Sequence, residues 1–441
     1  MPPTVASGSC SSTIRSSSST VSFPRSTAPP SRRPMRARLP EIRSGVSESM
    51  HPHDRAPLVS VVMANFEAGD RIVPALRSVL GQTMGDLEVI VSDDASRDHS
   101  LAHVRQMMAH DPRIRLITSP ENRGPATCRN RALELARGQW LAIVDSDDII
   151  HPERFERLLA AAAHYEADIV ADDLLLFYED GTEPSLFLGE TDRSFRVSAE
   201  RWVSAGIDGS PALGYLKPLI NADRLRAPRY DEKLRIGEDY DLILRLLLAG
   251  ADMVVIPEPF YLYRRHSGSI SHRLSAGDVE AMIARQLALT QGLSPDANLA
   301  RAFAARLRSL EQGLAYERLV ASIKTRQLGI ALSLLASDPG HLRRLWASFS
   351  EGRDRRQSPP APGPSPVLTL GERGEIAVPA YMPINATDWD APTSRRFWRD
   401  LAARRGAGPT RCIPLDEAGA YAAGFIPEAE IAAAETLREA S

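Results

Sequence analysis

The chain has 441 residues, and its 53 lysines and arginines against 56 aspartates and glutamates give a formal net charge of -3. This balance argues against a nucleic-acid-binding protein, because such proteins carry a clear excess of positive charge. Three widely spaced cysteines exclude a disulfide framework or a Cys-x-x-Cys zinc site and favour a reducing cytosol. No apolar run reaches about 18 residues, so we expect neither a transmembrane span nor a secretory signal.

Residues 1–56 differ in composition from the rest of the chain. They are rich in serine, arginine and proline and contain no apolar run, so they cannot bury a core and are predicted to be disordered. An arginine- and serine-rich stretch that is poor in acids also resembles a transit peptide. A start of translation at Met35 or Met50 explains the same composition, and we favour that explanation.

From residue 57 the apolar pattern alternates between strand and helix. Continuous apolar runs predict buried strands, and apolar residues three and four apart predict helices. The predicted strands cover 58–63, 87–91, 113–118 and 140–145, and the predicted helices cover 72–80, 101–108 and 126–137, with Gly138 as the C′ residue of the last. This alternation predicts a parallel sheet with helices on both faces, which binds ligands at the carboxyl ends of its strands.

Acidic residues follow two of these strands. Asp145 and Asp147 end the fourth strand, and their carboxylates share one side if the strand geometry continues that far. Paired carboxylates suit Mg²⁺ or Mn²⁺, which also take oxygens from a substrate phosphate. The alternative is a loop that caps a helix opening near Pro152. Asp94, after the second strand, also has two interpretations, a ligand contact or an Asx-turn.

Six segments resemble, in order, the motifs of family 2 glycosyltransferases: 59–67, 91–98, 122–130, 145–148, 237–242 and 263–271. The resemblance covers residues 57–272 and implies an α/β fold of the GT-A type. That fold has a Rossmann-like nucleotide-binding half, a mixed central sheet and helices on both faces. Within the family, the chain most resembles bacterial exopolysaccharide enzymes of the succinoglycan type. The chain contains neither a Gly-x-Gly-x-x-Gly motif nor a P-loop motif, which disfavours those nucleotide sites.

The resemblance implies a metal site for Mn²⁺ or Mg²⁺. Asp147 would bind the metal directly, and Asp145 would hold the ribose or the hydration shell of the metal. His266 would contact the metal or a phosphate, or is structural. The metal would neutralise the negative charge that grows on the leaving diphosphate. The resemblance also implies a set of residues that contact the UDP part of the donor: Ala64, Phe66, Glu67, Asp94, Arg129 and Asp145. Within this set, Asp94 would accept from the uracil ring and Arg129 would lie over the base or a phosphate.

The resemblance places the catalytic base in the Glu-Asp motif at Glu238 and Asp239. Asp239 would take the proton of the attacking hydroxyl, and a base opposite the leaving group gives inversion of the anomeric centre. General-base catalysis of this kind is worth about 10²–10⁴-fold. Both acids also suit the positive end of the helix that follows them. Lys217 has two interpretations, a contact to the acceptor or a phosphate and a surface lysine.

Beyond residue 272 the pattern turns helical. We expect a helical extension over 273–356, a Pro-rich linker at 357–366 and a C-terminal region, 367–441, of unknown role. Short helices are predicted within that region, over 394–405 and 427–439. The basic and aromatic segment 341–349 suits an anionic membrane surface, or packs on the catalytic domain.

Taken together, these features predict a metal-dependent, inverting glycosyltransferase. It would move a sugar from a UDP-sugar to a saccharide acceptor, lipid-linked, in exopolysaccharide synthesis. We expect it in the cytoplasm, peripheral at the inner face of the plasma membrane. A sugar-1-phosphate nucleotidyltransferase is the rival enzyme, but no Gly-rich loop with arginine follows the first strand. An inactive nucleotide- or saccharide-binding scaffold is the non-enzymatic rival, disfavoured because the acidic pair and the base are present.

Overall fold

The computed structural model describes residues 55–178, 185–189, 193–207, 209–225, 229–265, 274–337 and 340, together with four short strands between 367 and 431. Several predictions lie outside these residues and stay predictions: those for residues 1–54, for His266, for segment 341–349, for the linker at 357–366 and for the helix over 394–405. The proposed domain limits stay predictions as well.

A ten-stranded sheet is described between residues 59 and 265. In chain order, its strands are β1 Val59–Asn65, β2 Leu87–Asp93, β3 Ile114–Thr118, β4 Trp140–Ile143, β5 Ile149–Ile150, β6 Ile169–Tyr178, β7 Ser185–Leu186, β8 Phe195–Val197, β9 Leu219–Asn221 and β10 Met253–Arg265. The strand order across the sheet is β3-β2-β1-β4-β9-β6-β10-β5, with β7 beside β6 and β8 beside β10.

The sheet is mixed, as the resemblance implied. Strands β3, β2, β1 and β4 are parallel to one another, which confirms the alternation predicted for this part of the chain. Strand β9 then runs antiparallel to both β4 and β6, and β10 runs parallel to β6. Every residue of β2 is buried, as its apolar sequence predicts for a strand covered on both faces. Because β1, β2 and β4 are parallel, their carboxyl ends meet at one edge of the sheet.

Helices follow most of these strands. Their bounds are α1 Ile72–Leu80, α2 Ser100–Met108, α3 Pro125–Leu135, α4 Arg154–Tyr165, α5 Ala199–Ser204 and α6 Glu238–Leu248. The apolar stripes of α1, α3 and α4 are buried with the sheet residues in one hydrophobic core. These three helices therefore hold the parallel strands in place and direct the loops at the carboxyl ends.

Gly138 has a different role from the one predicted. Helix α3 ends at Leu135, and the next residue, Ala136, is already extended with φ -68° and ψ 131°. Gly138 is not in the left-handed region, so it is not a C′ residue. A Cβ atom there would lie 2.4 Å from the backbone nitrogen of Ser60 in β1, so only glycine allows this close approach. Its own N–H donates to Ser60 Oγ at 2.8 Å.

Three helices follow the main sheet and confirm a helical region through residue 337: α7 Ala276–Gln291, α8 Ala297–Lys324 and α9 Leu328–Ser337. Helix α7 begins with a capping box, in which the side chains of Ser275 and Asp278 each accept from the other's backbone N–H. Helix α8 packs against α7, α9 and α5. Its Ala302 and Phe303 belong to the same hydrophobic core as the sheet.

A second sheet lies in the C-terminal region. It is parallel, in the order β12-β11-β13-β14, and its strands are β11 Val367–Gly371, β12 Ile376–Ala377, β13 Arg411–Pro414 and β14 Glu430–Ile431. The helix predicted over 427–439 is wrong at residues 430–431. Ile431 pairs there with Cys412, so tertiary pairing outweighs the helix propensity of the alanines and glutamates around it.

In the part of the chain that the structure describes, none of the helices combines the length and the apolar character needed to cross a lipid bilayer.

Candidate active site

The carboxyl ends of β1, β2 and β4 form one side of a cleft of about 1130 Å³. We call this side the sheet wall, which comprises residues 64–68, 94, 122–125, 128–129 and 145–148. A second group of cleft residues, which we call the helix wall, comprises those of segments 202–215 and 235–240 with Met282 and Arg306. Lys217 lies between the two walls. The size of the cleft suits a nucleotide-sized ligand with a second substrate beside it.

The end of β1 and the loop after it bring all three residues predicted there into the cleft. Ala64, Phe66 and Glu67 line the sheet wall, and Phe66 is 43 % exposed, which is unusual for a phenylalanine. Glu67 has φ +51°, and its backbone N–H donates to Ser96 Oγ at 2.9 Å. This bond fixes the loop so that the aromatic ring stays available for stacking on a flat ligand.

The Asx-turn after β2 is formed by Asp93, and its neighbour Asp94 lines the cleft. Asp93 forms the turn, since its Oδ2 accepts from the backbone N–H of Ser96 at 3.0 Å. Asp94 is 2 % exposed and accepts from two backbone N–H groups of segment 123–124 at 2.9 and 2.7 Å, and from Arg131 Nη2 at 2.8 Å. Asp94 thus ties the loop before α3 to the end of β2. It lines the cleft, and its contact to uracil stays a prediction.

The acidic segment after β4 is a turn. The strand ends at Ile143, and the backbone N–H of Asp148 donates to the carbonyl of Asp145 at 3.3 Å. The alternation of a strand therefore does not extend to Asp147, and the argument that placed Asp145 and Asp147 on one side of a strand does not apply. Both residues nevertheless line the cleft.

Strand β10 holds this turn in place through hydrogen bonds. Asp148 accepts from the Tyr261 hydroxyl at 2.8 Å and from the backbone N–H of Arg264 at 2.7 Å. The Arg264 side chain donates through Nε to the carbonyl of Asp147 at 2.8 Å. The backbone N–H of Asp145 donates to the same Tyr261 hydroxyl at 3.1 Å. The sequence carries no signal for these contacts, which join segments more than a hundred residues apart.

Two buried cations connect the sheet wall to the helix wall. Arg129 places Nη2 at 2.9 Å from Asp145 and Nη1 at 2.6 Å from Glu238 and 3.4 Å from Asp239. Lys217 places Nζ at 2.7 Å from Asp145 and 3.4 Å from Asp239. Both cations are 5 % exposed, so Lys217 is not a surface lysine. The predicted contact of Arg129 with base or phosphate stays untested, and its guanidinium lies among carboxylates.

The charges of this cluster determine its protonation. Burial alone would raise the pKa of Asp145, but Lys217 and Arg129 outweigh it and hold that pKa well below its usual range. Burial opposes the charged forms of the two cations, yet the surrounding carboxylates raise the pKa of both Arg129 and Lys217. Burial and the adjacent Asp239 raise the pKa of Glu238. The cluster therefore keeps Asp145 ionised and both Arg129 and Lys217 positively charged at neutral pH.

Glu238 and Asp239 occupy the first turn of α6, where the positive end of the helix favours acids. The residue before them, Gly237, has φ +86°, a conformation that side chains rarely adopt. A Cβ atom at Gly237 would also lie 2.9 Å from Cε of Met282, which belongs to α7. Capping and a place in the cleft are thus compatible for these acids, and the helical extension packs directly against the loop that carries them.

The acidic turn fits a divalent cation. Three carboxylates, those of Asp145, Asp147 and Asp148, line the cleft within this one turn, and burial together with the charges of Asp147 and Asp145 raises the pKa of Asp148. A cation of the Mn²⁺ or Mg²⁺ type would relieve that crowding. Both oxygens of Asp145 already pair with Arg129 and Lys217, so Asp145 would bind a metal directly only by giving up one of these pairs.

A second set of metal-type ligands lies away from the cleft. Asp70, His99 and His103 have ligand atoms within 4.8 Å of one another, and Nε2 of each histidine is 2.9 Å from Asp70 Oδ1. Hydrogen bonds from the two imidazoles lower the pKa of Asp70. The carboxylate of Asp70 is largely exposed, and none of the three residues lines the cleft.

The fold and the cleft are those of a glycosyltransferase of the GT-A type, and comparisons with known proteins support this class. A model of glycosyl transferase family 2 matches residues 60–217. The chain is 33 % identical over 336 residues to the succinoglycan biosynthesis protein ExoO of Rhizobium meliloti (strain 1021), a match that covers 73 % of this chain and 96 % of ExoO. The chain therefore belongs to glycosyltransferase family 2, which excludes the nucleotidyltransferase alternative.

Two further similarities are informative. Succinoglycan biosynthesis protein ExoU of the same strain is 30 % identical over 340 residues, covering 72 % of this chain and 94 % of ExoU. The predicted resemblance to succinoglycan-type enzymes is thereby confirmed. Among solved structures, S. aureus TarS 1-349 in complex with UDP-GlcNAc aligns with a TM-score of 0.51 and 18 % identity, over 63 % of this chain and 80 % of that chain. This likeness confirms the GT-A fold.

Proposed function

We propose that this chain transfers one sugar from a UDP-sugar to a saccharide acceptor with inversion of the anomeric centre. The observation that carries the proposal is the buried cluster of Arg129 and Lys217, which holds Asp239 in the same cleft as Asp145 and the acidic turn. A donor and an acceptor bound against the two walls would thus meet between a metal site and a carboxylate. TarS, which has the same fold, was solved with UDP-GlcNAc, and this supports UDP as the carrier.

On the sheet wall, Phe66 would stack on the uracil and Asp147 would hold Mn²⁺ or Mg²⁺. When bound, the metal would neutralise the charge that develops on the leaving diphosphate. Lys217 and Arg129 keep Asp145 ionised, so Asp145 can accept from a ribose hydroxyl or from water around the metal. The fixed turn after β4 would orient these oxygens before the donor arrives, which lowers the reorganisation needed in the transition state.

On the helix wall, Asp239 is better placed than Glu238 to act as the base. Glu238 is bound tightly to Arg129 at 2.6 Å, whereas Asp239 is 3.4 Å from each cation and its side chain is 19 % exposed. In the reaction, the acceptor oxygen bonds to the anomeric carbon, the bond to the diphosphate oxygen breaks and its electron pair leaves with UDP. The hydroxyl proton passes to Asp239.

The pathway and the acceptor class are also part of the proposal. ExoO and ExoU are named for succinoglycan biosynthesis, which supports a role in exopolysaccharide synthesis. We expect a growing, lipid-linked saccharide as acceptor, reached from the cytoplasmic side by peripheral contact with the membrane.

The test is UDP release by the full chain from a panel of UDP-sugars, with Mn²⁺, with Mg²⁺ and with excess EDTA. We expect metal-dependent release from at least one donor, and formation of a glycoside with inverted configuration when a saccharide acceptor is added. Asp239→Asn is the matched inactive protein. If every UDP-sugar stays intact with both metals, or if the product retains the configuration of the donor, the proposed function is wrong.

A further inference from the structure

The helical region after the main sheet contributes side chains to the cleft. Met282 of α7 and Arg306 of α8 both line it on the helix wall. Other residues of these helices form ion pairs with the segment that carries Glu238 and Asp239. Asp278 of α7 pairs with Arg235, and Arg285 pairs with Asp241 at 2.7 Å. Helices α7 and α8 are therefore part of the cleft. The charged residues in these ion pairs each have a counter-ion in the fold, which explains why they are there.

Arg306 lacks such an explanation. Its guanidinium carbon lies 3.9 Å from the centre of the Tyr240 ring, and Nη1 donates to Gln286 Oε1 at 2.6 Å. Among the described residues, no carboxylate lies within 4.0 Å of it. Asp241 acts on Arg306 only at longer range, because its oxygens already pair with Arg245 at 2.8 Å and Arg285 at 2.7 Å. Burial lowers the pKa of Arg306, so this charge is costly to hold without a counter-ion.

Tyr240 gives a second, independent observation. Its ring is stacked on Trp202, with centroids 5.8 Å apart and planes at 22°, as well as on Arg306. Its hydroxyl is buried and has no hydrogen-bond partner among the described residues. Burial raises the pKa of Tyr240 to about 12, so the hydroxyl keeps its proton and can donate. A cation and a donor thus lie together on the helix wall, and Tyr240 directly follows Asp239 in the chain.

We propose that Arg306 and Tyr240 bind an anionic group, a carboxylate or a phosphate, of the saccharide acceptor. This inference rests on the proposed function, because it assigns the helix wall to the acceptor. A planar guanidinium can donate two parallel hydrogen bonds to either anion, and stacking on Tyr240 holds the guanidinium in a fixed plane. The anion would supply the missing counter-ion. Acceptors with an acidic substituent, or with a diphosphate next to the sugar, share this chemistry.

The experiment measures binding of two probe pairs by isothermal titration to the full chain, with and without UDP and Mn²⁺. Phenyl β-glucuronide and phenyl β-glucoside test the carboxylate, and glucosyl farnesyl diphosphate and farnesyl β-glucoside test the phosphate. In at least one pair, we expect the anionic member to bind about 10-fold tighter or more, as for a charge-assisted, bidentate contact. The pair that shows the preference identifies the source of the anion.

The variants separate recognition from packing. Arg306→Met should abolish the preference, Arg306→Lys should keep part of it, and Arg308→Met, an exposed arginine on the same helix, should keep all of it. A role in packing alone would change the melting temperature of Arg306→Met but not the preference. The proposal is overturned if neither anionic probe is preferred by the wild type, or if Arg306→Met retains the preference. UDP-sugar turnover is measured in parallel, so failure of the proposed function would be seen separately.

Discussion

The sheet wall and the helix wall of the cleft are built in different ways. Apart from Arg129 on α3, the functional residues of the sheet wall lie at or just after the end of a strand of the parallel half, so the strand itself places them at the edge of the sheet. The helix wall combines the first turn of α6 with side chains from α5, α7 and α8, which pack on one another. Arg129 and Lys217 connect the two walls. The comparison indicates that local structure positions the residues proposed for the donor, whereas tertiary packing positions those proposed for the acceptor.

The largest expected effect lies on the sheet wall. Asp147→Ala should reduce sugar transfer to background and remove metal-dependent binding of UDP, because Asp147 would supply the direct metal contact. UDP binding with and without Mn²⁺, measured by titration, checks this outcome, and Asp86→Ala, an exposed aspartate, is the control. Undiminished transfer by Asp147→Ala, or by the wild type in excess EDTA, would refute the metal assignment.

On the helix wall, Asp239→Asn should lower turnover by about 10²-fold or more and leave the affinity for UDP-sugar within a few-fold, because only the transition state needs the proton acceptor. Single-turnover kinetics and donor titration measure the two quantities. A loss of donor affinity with normal turnover would assign Asp239 to donor binding and contradict the proposed division of roles between the walls.

Between the walls, Lys217→Met should be strongly destabilising. Removing one member of a buried ion pair costs about 3–5 kcal/mol, because the carboxylates of Asp145 and Asp239 lose a counter-ion. Urea unfolding followed by fluorescence measures the loss, and Lys324→Met, at an exposed lysine of α8, should change the free energy of unfolding little. Equal stability of the two variants would show that the cluster does not join the walls energetically.

The smallest effect concerns the packing of α7 on the helix wall. Gly237 and Gly250 both have φ +86°, so alanine at either costs about 1–2 kcal/mol in backbone strain. Of the two, only Gly237 has a close neighbour, the terminal Cε atom of Met282, which can move aside, so Gly237→Ala should lose about 0.5–1.5 kcal/mol more, the cost of an off-rotamer side chain, and also lower turnover. The second change Met282→Ala should restore part of that loss. Identical unfolding curves for Gly237→Ala and Gly250→Ala would show that α7 does not constrain the loop.

This contrast also explains what the sequence predicts. Strands β1 to β4, helices α1 to α3 and the cleft position of Asp94 and Asp145 follow from local periodicity, because a strand and the residue after it are neighbours in the chain. The role of Gly138 could not be predicted, because its constraint comes from the backbone of Ser60, 78 residues away. The burial of Lys217 depends on carboxylates contributed by two other segments.

The place of Arg306 in the cleft could not be predicted from the sequence. It belongs to a long helix whose apolar positions predict little beyond a helix, and nothing in its neighbourhood along the chain distinguishes it from Arg301 or Arg308. Its distinction comes from Tyr240, to which only the tertiary fold brings it close. By contrast, the end of β4 is a local feature. The predicted strand runs to Asp145, two residues beyond the observed end at Ile143, because apolar residues continue up to Val144.

The bridging role of Arg129 has a consequence for chimeric enzymes. The segment matched by the family model ends at residue 217 and so includes Arg129, Lys217 and Asp145 but not Glu238 or Asp239. A segment cut at that boundary would lose β9 and β10 of the main sheet together with both acids, and would leave Arg129 and Lys217 against the single carboxylate of Asp145. An exchange of the proposed acceptor specificity would therefore have to retain Glu238 and Asp239 at the beginning of α6. Only other cleft residues of the helix wall would be replaced.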